Sequence, residues 1–450
     1  MATKLGQKLI SSGLLLGDLT ALYASLWMAL LLRYLEVPSN ALFVKHFLPF
    51  SFIFVVWIVV FYIADLYGRS FKLQNKSLPG LIFKSQAING IIAIMFFYLL
   101  PYYGITPKTV LIVDVAVSFL FLYSWRMLAR SFLRLSSAQS ILAIGSGKEF
   151  QELVDDLKEH PQHGFSVLEK IDAQNISQNF SEDLKKTIDN SIKNDKNLAV
   201  VVESFADCSG GAVAYFYDLM SRGVRLIDFQ KFYENIFQHV PLSFVNEAWL
   251  LENISSSKKD FYDLPKRIID ILTSLIFGIL SLLFYPFIIL LIKIGDRGPV
   301  FFINKRVGQG RKIFKHIKFR SMRVDADSRW PEKGDRRITK IGSFLRKTRM
   351  DELPQLWNVL KGDMSFVGPR PDFLDFAQKL EKEIPYYNIR NLIKPGLTGW
   401  AQIQQVAPSS VEETERRLAY DIYYIKNRSI ILDLTIILKT IRIMLSRSGV

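Results

Sequence analysis

Cysteine is almost absent from this chain of 450 residues: Cys208 stands alone, which excludes an intramolecular disulfide and a cysteine-based zinc site. Charge is sparse as well, at 22% of residues against 50% apolar and 13% aromatic, which excludes a disordered or fibrous polymer and points to a protein partly dissolved in lipid. Acidic side chains are the scarcer sign, 42 against 57 Lys and Arg, leaving a formal charge of +15. Histidine is scarce too, and His46, His160, His163, His239 and His316 form no metal-ligand spacing along the chain. The length implies two or three domains.

What is present is unevenly distributed. Four apolar runs, at 9–32, 47–66, 82–100 and 109–123, come close to the roughly 20 residues that a membrane-crossing helix needs. Asp18 and Asp65 are the acidic residues of the first two. No cleavable signal peptide is apparent, because the first run is too long and lacks a small-residue cleavage site. Lys4 and Lys8 precede the first run, Arg69, Lys72, Lys76 and Lys84 separate the second from the third, and Arg126, Arg130 and Arg134 end the fourth. Lys45 and Lys108 are the basic residues of the other two connections, with Arg33 at a helix end. The positive-inside rule places the N-terminus, the middle loop and everything after Arg134 in the cytoplasm. Residues 1–135 therefore read as a four-helix transmembrane bundle.

Residues 139–252 read as a Rossmann-like α/β domain. A strand at 140–144 leads into Gly145-Ser146-Gly147 and a helical stretch to Leu157, and further buried strands are expected at 198–202 and 224–229. A Gly-x-Gly after a strand is the start of a dinucleotide-binding loop. Phe150, however, stands where the third glycine belongs, and no acidic residue ends an evident second strand some 20 residues later. A structural or regulatory role is the preferred reading over a bound nucleotide.

A further apolar run, 268–292, is interrupted by Asp270 and Pro286. Lys258, Lys259, Lys266 and Arg267 precede it, and Lys293, Arg297, Lys305 and Arg306 follow it. Positive charge on both flanks favours two cytoplasmic ends, hence a re-entrant hairpin over 266–293 that turns at Tyr285-Pro286; a plain fifth span is the alternative.

Residues 293–450 carry 31 basic and 17 acidic side chains, and 304–349 alone carries 16 against four. Such a surface suits an anionic lipid headgroup or a nucleoside diphosphate. Its few interleaved aromatics count against single-stranded nucleic acid. A β-hairpin is expected around Gly308-Gln309-Gly310, with Lys318, Arg320 and Arg323 close behind. Asp351-Glu352-Leu353-Pro354 followed by Leu356-Trp357, Val359-Leu360 and Gly362 has the start and stop signals of a helix. That places both acids at its N-terminus, where capping is the ordinary use of such a pair.

The surrounding motifs change that reading. Lys318-Phe319-Arg320-Ser321-Met322, Asp351-Glu352-Leu353-Pro354-Gln355-Leu356, Leu360-Lys361-Gly362-Asp363-Met364-Ser365, Gly368-Pro369-Arg370-Pro371 and Pro395-Gly396-Leu397-Thr398-Gly399-Trp400 occur in this order. In them the chain closely resembles the bacterial sugar transferases, the monotopic polyprenol-phosphate phosphoglycosyl transferases, over about 266–446. The four spans and the middle domain in front resemble, more loosely, the large members that initiate exopolysaccharide, capsule or O-antigen synthesis.

The resemblance implies a catalytic domain over 262–450, of α/β type with amphipathic helices, whose re-entrant helix turns at Pro286. It implies transfer of a sugar phosphate from a UDP-sugar to undecaprenyl phosphate with release of UMP, in the bacterial inner membrane with the catalytic domain on the cytoplasmic face. A homodimer is also implied. Asp351 would be the nucleophile and Glu352 the Mg²⁺ ligand. Arg346 and Arg370 would contact phosphate, with Lys318 and Arg320 beside them and Asp421 organising the site. A carboxylate needs no general base, and phosphoryl transfer chiefly needs positioning and charge neutralisation. The alternative mechanism has Asp351 activate the polyprenol phosphate for direct displacement. The chain departs from the family at Ile403-Gln404-Gln405-Val406-Ala407-Pro408, where Asn-Gly-Arg-Asn is usual, and at Asn304, where glutamine is commoner.

Two other functions compete. A membrane-bound sugar-nucleotide dehydratase or epimerase needs an intact glycine fingerprint and a helical Tyr-x-x-x-Lys; the available pair, Tyr262 and Lys266, is separated by Pro265. A non-enzymatic lipid-binding scaffold explains the charge but not the five ordered motifs.

Overall fold

The computed structural model describes residues 2–64, 66–67, 78–99, 108–135, 139–160, 163–172, 182–195, 197–205, 208–254, 260–296, 298–323, 335, 337–404 and 410–445. Asp65 and the departure at 405–408 lie outside them. The chain divides into two compact units, Met1–Ile236 and Phe237–Val450.

The first unit begins with four helices, α1 (Ala2–Tyr34), α2 (Asn40–Ile63), α3 (Leu78–Leu99) and α4 (Lys108–Leu135). Segments Ser12–Tyr34, Asn40–Ile63, Leu78–Leu99 and Thr109–Ala129 are long and apolar enough to cross a membrane. Their outward faces expose residues such as Phe52, Val55, Ile91 and Leu120, while Leu22, Phe50, Trp57 and Ala93 fill the interior. A buried polar thread runs through that interior. Arg126 Nε donates to Asp18 at 3.0 Å, the Tyr67 hydroxyl donates to the same carboxylate at 2.7 Å, and Arg126 Nη1 reaches the Leu66 carbonyl at 2.6 Å. Ser25 Oγ donates to Asp114 at 2.7 Å, and Asn89 Nδ2 to Gln86 at 2.8 Å. Arg126 therefore is not one of the surface charges that flank the fourth span: it is 1% exposed and committed to Asp18.

The α/β part follows as β1 (Gln139–Ile144), α5 (Lys148–Glu159), β2 (Phe165–Ile171), α6 (Glu182–Asn194), β3 (Ala199–Val202), α7 (Gly210–Ser221), β4 (Arg225–Asp228) and α8 (Phe229–Phe237). The four strands form a parallel sheet in the order β2–β1–β3–β4. Strand β2 is absent from the sequence reading. It is an edge strand whose Glu169 and Lys170 are exposed, so its composition hides it among loop residues. With β2 in place an acidic residue does end the second strand: Asp172 directly follows Ile171.

The second unit opens at Phe237, so the stretch to 252 does not stay with the middle domain as its composition suggested. Val240, Val245 and Trp249, the last on α9 (Glu247–Asn253), are buried in one core with Trp400, Tyr423 and Ile425. Next come α10 (Asp260–Leu282) and α11 (Tyr285–Asp296), bent by 57° across a short break. Pro286 is the second residue of α11, a position where the missing N–H costs no helical bond.

Strands β5 (Phe301–Val307) and β6 (Ile313–Phe319) pair antiparallel from Phe301 with Phe319 to Val307 with Ile313, the expected hairpin. Helices α12 (Lys340–Thr348) and α13 (Gln355–Lys361), strand β7 (Ser365–Val367), helix α14 (Leu374–Glu383), strand β8 (Gly396–Thr398) and helices α15 (Trp400–Gln404), α16 (Val411–Asn427) and α17 (Ile430–Leu445) complete the unit. Ile288 and Ile292 of α11 pack on Phe319 and Leu345, with Met350 and Leu353 at the edge of the same cluster. The apolar helix pair is thereby fastened to the segment that carries Asp351.

Candidate active site

Asp351 and Glu352 do not cap α13. They occupy a single 3₁₀ turn, Met350–Glu352, wedged between α12 and α13, and the residue at the α13 N-cap is Pro354, with no side-chain cap bond. Arg349, in the left-handed conformation at φ 55°, ends α12 and turns the chain into this 3₁₀ segment. Both carboxylates are buried, at 7% and 9% exposure. A pair of acids removed from water without a capping role needs another explanation.

Their surroundings are unequal. Glu352 Oε1 accepts from Lys318 Nζ at 2.7 Å and from Arg370 Nη2 at 3.2 Å, while Arg349 Nη1 lies 3.7 Å from Oε2. Among the described residues no hydrogen bond reaches the Asp351 carboxylate. Burial pushes the Asp351 carboxyl up to about 6, opposed by Lys318 and reinforced by the neighbouring Glu352 charge. Burial acts on Glu352 in the same sense, but Lys318, Arg370 and Arg349 outweigh it and hold Glu352 well below the usual carboxylate range. Two adjacent acids thus have their protonation pushed apart, a common arrangement at reactive centres.

The supporting residues come from β6, from α12 and from the segments that follow β6 and β7. Lys318 is on β6, and burial lowers its pKa against the pull of Glu352. Arg346 is in the last turn of α12; its Nε donates to Ser321 Oγ at 2.9 Å, and burial lowers its pKa although Asp351 opposes the shift. The Ser321 segment lies directly on α12, because a Cβ at Gly342 would stand 1.8 Å from the Ser321 carbonyl oxygen. Arg320 is buried with its guanidinium against Gly298. Arg370 follows β7, and its placement explains the glycines of two motifs: a Cβ on Gly396 would lie 2.1 Å from the Gly368 nitrogen. The two backbones touch where only glycine fits.

Asp421, on α16, does not face the acid pair. It accepts from Arg390 Nε at 3.0 Å and Nη2 at 2.9 Å, at 2% side-chain exposure. Arg390 also ion-pairs with Asp372, bonds the Tyr387 hydroxyl at 2.6 Å, and donates through Nη2 to the Arg370 carbonyl at 2.9 Å. Arg417 joins Asp372 at 2.8 Å. Asp421 therefore acts on the site through Arg390 and the Arg370 backbone. Burial raises the Asp421 pKa against Arg390 and Arg417, whereas those same arginines overcome burial at Asp372 and pull it far below the usual value.

Sequence reasoning missed Arg390, Asp372, Arg417 and Tyr387, and it took Arg306 only as a flanking charge and His316 only as a histidine without metal spacing, whereas both lie beside the pair. Arg306 donates to the Pro371 carbonyl and lies 3.6 Å over the Phe373 ring. Burial, with Lys318 and Arg306 nearby, holds His316 down to about 2, so its ring is neutral. Asp372 was within reach of inspection, since it directly follows the Gly368-Pro369-Arg370-Pro371 motif. Arg390 carried no local signal.

In the first unit, the Gly145-Ser146-Gly147 loop already holds an anion of the chain itself. Glu203 Oε2 accepts from Ser146 N at 2.7 Å, and Oε1 accepts from Gly147 N at 3.0 Å. Phe150 closes the floor, 2.7 Å from where a Gly145 Cβ would be. At the end of α5, Asp156 on the helix, His160 at its C-cap and His163 beyond it bring one ligand atom each within 4.8 Å of one another, a convergence that their spacing alone did not suggest.

Comparison with known proteins bears on the C-terminal region and beyond it. A family model described as "Bacterial sugar transferase" matches residues 261–447. The chain is 42% identical over 194 residues to a "UDP-N-acetylgalactosamine-undecaprenyl-phosphate N-acetylgalactosaminephosphotransferase" of Aeromonas hydrophila, covering 42% of this chain and 45% of that protein. It is 30% identical over 364 residues to an "Uncharacterized sugar transferase" of Haemophilus influenzae, covering 74% of this chain and 75% of that one. It is 32% identical over 353 residues to a "UDP-galactose-lipid carrier transferase" of Erwinia amylovora, covering 70% of each. The chain thus spans less than half of the Aeromonas protein, while the other two matches reach well in front of the family segment.

Proposed function

The chain belongs to the bacterial sugar transferase family, and from that premise we propose that it transfers a sugar-1-phosphate from a UDP-sugar to undecaprenyl phosphate, releasing UMP. The product is the first membrane-committed intermediate of an exopolysaccharide, capsule or O-antigen. The observation that carries the reading is the unequal acid pair: a buried Asp351 carboxylate with no hydrogen bond among the described residues, beside a Glu352 clamped by Lys318 and Arg370.

In the proposed chemistry an Asp351 oxygen attacks the sugar-bearing phosphorus of the donor. The phosphoanhydride bond breaks, UMP leaves with the bond electrons, and an aspartyl-phosphosugar forms. A phosphate oxygen of undecaprenyl phosphate then attacks the same phosphorus, giving the diphosphate-linked sugar and returning the Asp351 carboxylate. Splitting one displacement into two through a carboxylate is an established use of this group. Arg370 and Arg346 meet the donor phosphates and offset the charge spread over the transferring oxygens. Lys318 keeps Glu352 ionised. The pair presents hard oxygen donors of the kind Mg²⁺ takes alongside substrate phosphates, and Glu352 Oε2, which has no hydrogen bond among the described residues and only the Arg349 charge 3.7 Å away, would be the ligand atom. When bound there, Mg²⁺ supplies neutralisation of the diphosphate charge.

The apolar pair α10–α11, with its corner at Pro286, enters and leaves the cytoplasmic leaflet in this reading, so the transfer centre sits at headgroup level. Supporting it are the 57° bend and the α11 contacts beneath Met350 and Leu353. The parallel order β2–β1–β3–β4, which flavodoxin-like doubly wound sheets share, supports reading the middle domain as Rossmann-like in the broad sense. With Glu203 seated in its glycine loop, its role is structural.

UMP release in nanodiscs, with undecaprenyl phosphate, Mg²⁺ and a panel of UDP-sugars, tests the proposal. Release from one donor that requires lipid and metal and is lost in Asp351→Asn is the expected result. Full activity of Asp351→Asn, or silence of the folded protein across the panel, overturns it.

A further inference from the structure

The second unit contains a cavity that does not include the Asp351–Glu352 turn. It encloses about 960 Å³, near the upper end of the range for small-ligand sites. Leu250, Leu251 and Ile254, from and beside α9, form an apolar wall, and this wall precedes the family-matched segment. The first turns of α10 contribute Tyr262, Lys266, Arg267 and Asp270.

Four cations line the cavity, and their engagements differ. Lys266 is held by Asp433 at 2.7 Å, and Arg428 lies 3.4 Å from Asp263. Arg267 gives its N–H groups to the Val359 and Leu360 carbonyls, at 2.7 and 2.8 Å, so neutral acceptors take its hydrogen bonds and leave its charge in place. Lys394 has no hydrogen-bond partner among the described residues. The two meet at Gly362, where a Cβ would lie 3.4 Å from Arg267 Nη2 and 3.7 Å from Lys394 Nζ. Of the lining acids, Glu247 bonds Tyr386 and Asp270 accepts the Phe366 N–H at 2.9 Å. Ser365 lines the same cavity at 1% exposure, and its Oγ is buried without a hydrogen-bond partner among the described residues. Its backbone N–H bonds the Pro395 carbonyl at 2.8 Å, which sets it beside Lys394. Two cations held together and an unsatisfied buried hydroxyl are the pieces of an anion site.

The place of the cavity decides which anion. Its α10 residues immediately precede the stretch whose Leu272, Leu275, Ile276 and Ile279 are exposed apolar side chains. With α10 in the membrane, the cations lie at the depth of lipid headgroups. Arg267 and Lys394 gather at the C-terminal end of α13, whereas Asp351 precedes its N-terminus; seven residues of helix separate the two by about 10 Å. A phosphate held here is out of bonding reach of Asp351, so it is not the reacting phosphate of the acceptor.

We propose that this cavity is a lipid-phosphate site separate from the transfer centre. It takes the phosphate of an anionic bilayer phospholipid on Lys394, Arg267 and Ser365, and the first methylenes of its chains on the α9 wall. The proposal rests on α10 lying in the membrane and not on the transfer reaction.

The test is calorimetric titration of the full chain in dodecyl maltoside with dihexanoyl phosphatidylglycerol, dihexanoyl phosphatidylcholine, farnesyl phosphate and inorganic phosphate. Phosphatidylglycerol is expected to bind about tenfold or more tightly than phosphatidylcholine. Lys394→Gln should abolish that preference, Lys394→Arg should restore it, and Ser365→Ala should weaken binding a few-fold. Asp351→Asn should leave the affinity for phosphatidylglycerol unchanged, which separates failure here from failure of the transfer mechanism. Thermal melting identifies any variant that fails to fold, and the remaining variants then decide. Equal affinity for the two phospholipids, or indifference of folded Lys394→Gln, overturns the proposal. So does tighter Lys394-dependent binding of farnesyl phosphate or inorganic phosphate, which would assign the cavity to acceptor or free anion.

Discussion

Replacing Asp421 by asparagine removes one carboxylate from a buried set in which Arg390 and Arg417 face Asp372 and Asp421. The side chains of Arg390 and Asp421 are 3% and 2% exposed, so solvent cannot compensate the missing charge. Breaking such a pair costs about 3–5 kcal/mol. Asp421→Asn belongs at the low end, about 3 kcal/mol, because Arg390 keeps Asp372 and the amide oxygen keeps one of the two bonds. Arg390→Met belongs at the high end, about 5 kcal/mol, since it strands Asp421, leaves Asp372 to Arg417 and Tyr387, and frees the Arg370 carbonyl. The double variant Asp421→Asn/Arg390→Met closes the cycle, with no charge left to strand between these two positions, and a coupling energy of about 2–3 kcal/mol is expected from it. Pulse proteolysis of the full chain in urea and detergent supplies the stabilities. The catalytic readout is kcat/KM, which should fall about a hundredfold in Asp421→Asn if loosening the Arg370 backbone displaces its guanidinium by about an ångström. Additivity within about 0.5 kcal/mol, or unchanged kcat/KM in a destabilised Asp421→Asn, would refute the bracing role.

Other expectations follow from the same geometry. Asp372 has a depressed pKa in the folded state, so it contributes stability that is present above its unfolded value of about 4 and lost as pH falls towards the folded value; Asp372→Asn should flatten that acid limb in melting curves. Arg126→Leu strands Asp18 inside the helical bundle and should cost about 3–5 kcal/mol, while Asp18→Leu/Arg126→Leu should recover most of it, measured by thermal melting in detergent. Glu203→Ala frees the Ser146 and Gly147 N–H groups, and should let the loop bind a nucleoside diphosphate that wild type ignores; equal binding by both in equilibrium dialysis would contradict the plugged-loop account.

Local pattern made much of this protein legible. Apolar runs located the four helices long and apolar enough to cross a membrane, with ends off by at most seven residues, since length and hydropathy are properties of the run itself. Glycine spacing located the β5–β6 hairpin, and motif order singled out Asp351, Glu352, Lys318 and Arg370, which the structure brings together. What stayed hidden depends on distant partners. Strand β2 reads as loop because an edge strand bears Glu169 and Lys170 outward, and with it Asp172 escaped notice. Arg126 counted as a flanking charge until Asp18, 108 positions earlier, proved to be its partner. Asp351 and Glu352 looked like caps because Pro354 simulates a helix start; the left-handed Arg349 makes a 3₁₀ turn instead. Trp249 left the middle domain because its partners, Trp400 and Tyr423, are more than a hundred residues away.

The most direct test of the central claim is the intact mass of the full chain after incubation with Mg²⁺ and the UDP-sugar it accepts, without undecaprenyl phosphate. The account predicts a stoichiometric gain of one sugar phosphate, mapped to the peptide bearing Asp351, absent from Asp351→Asn and discharged when the lipid is added. An unmodified mass under conditions that sustain UMP release once lipid is supplied, together with kinetics in which both substrates must bind before UMP leaves, would contradict it and assign Asp351 to direct displacement.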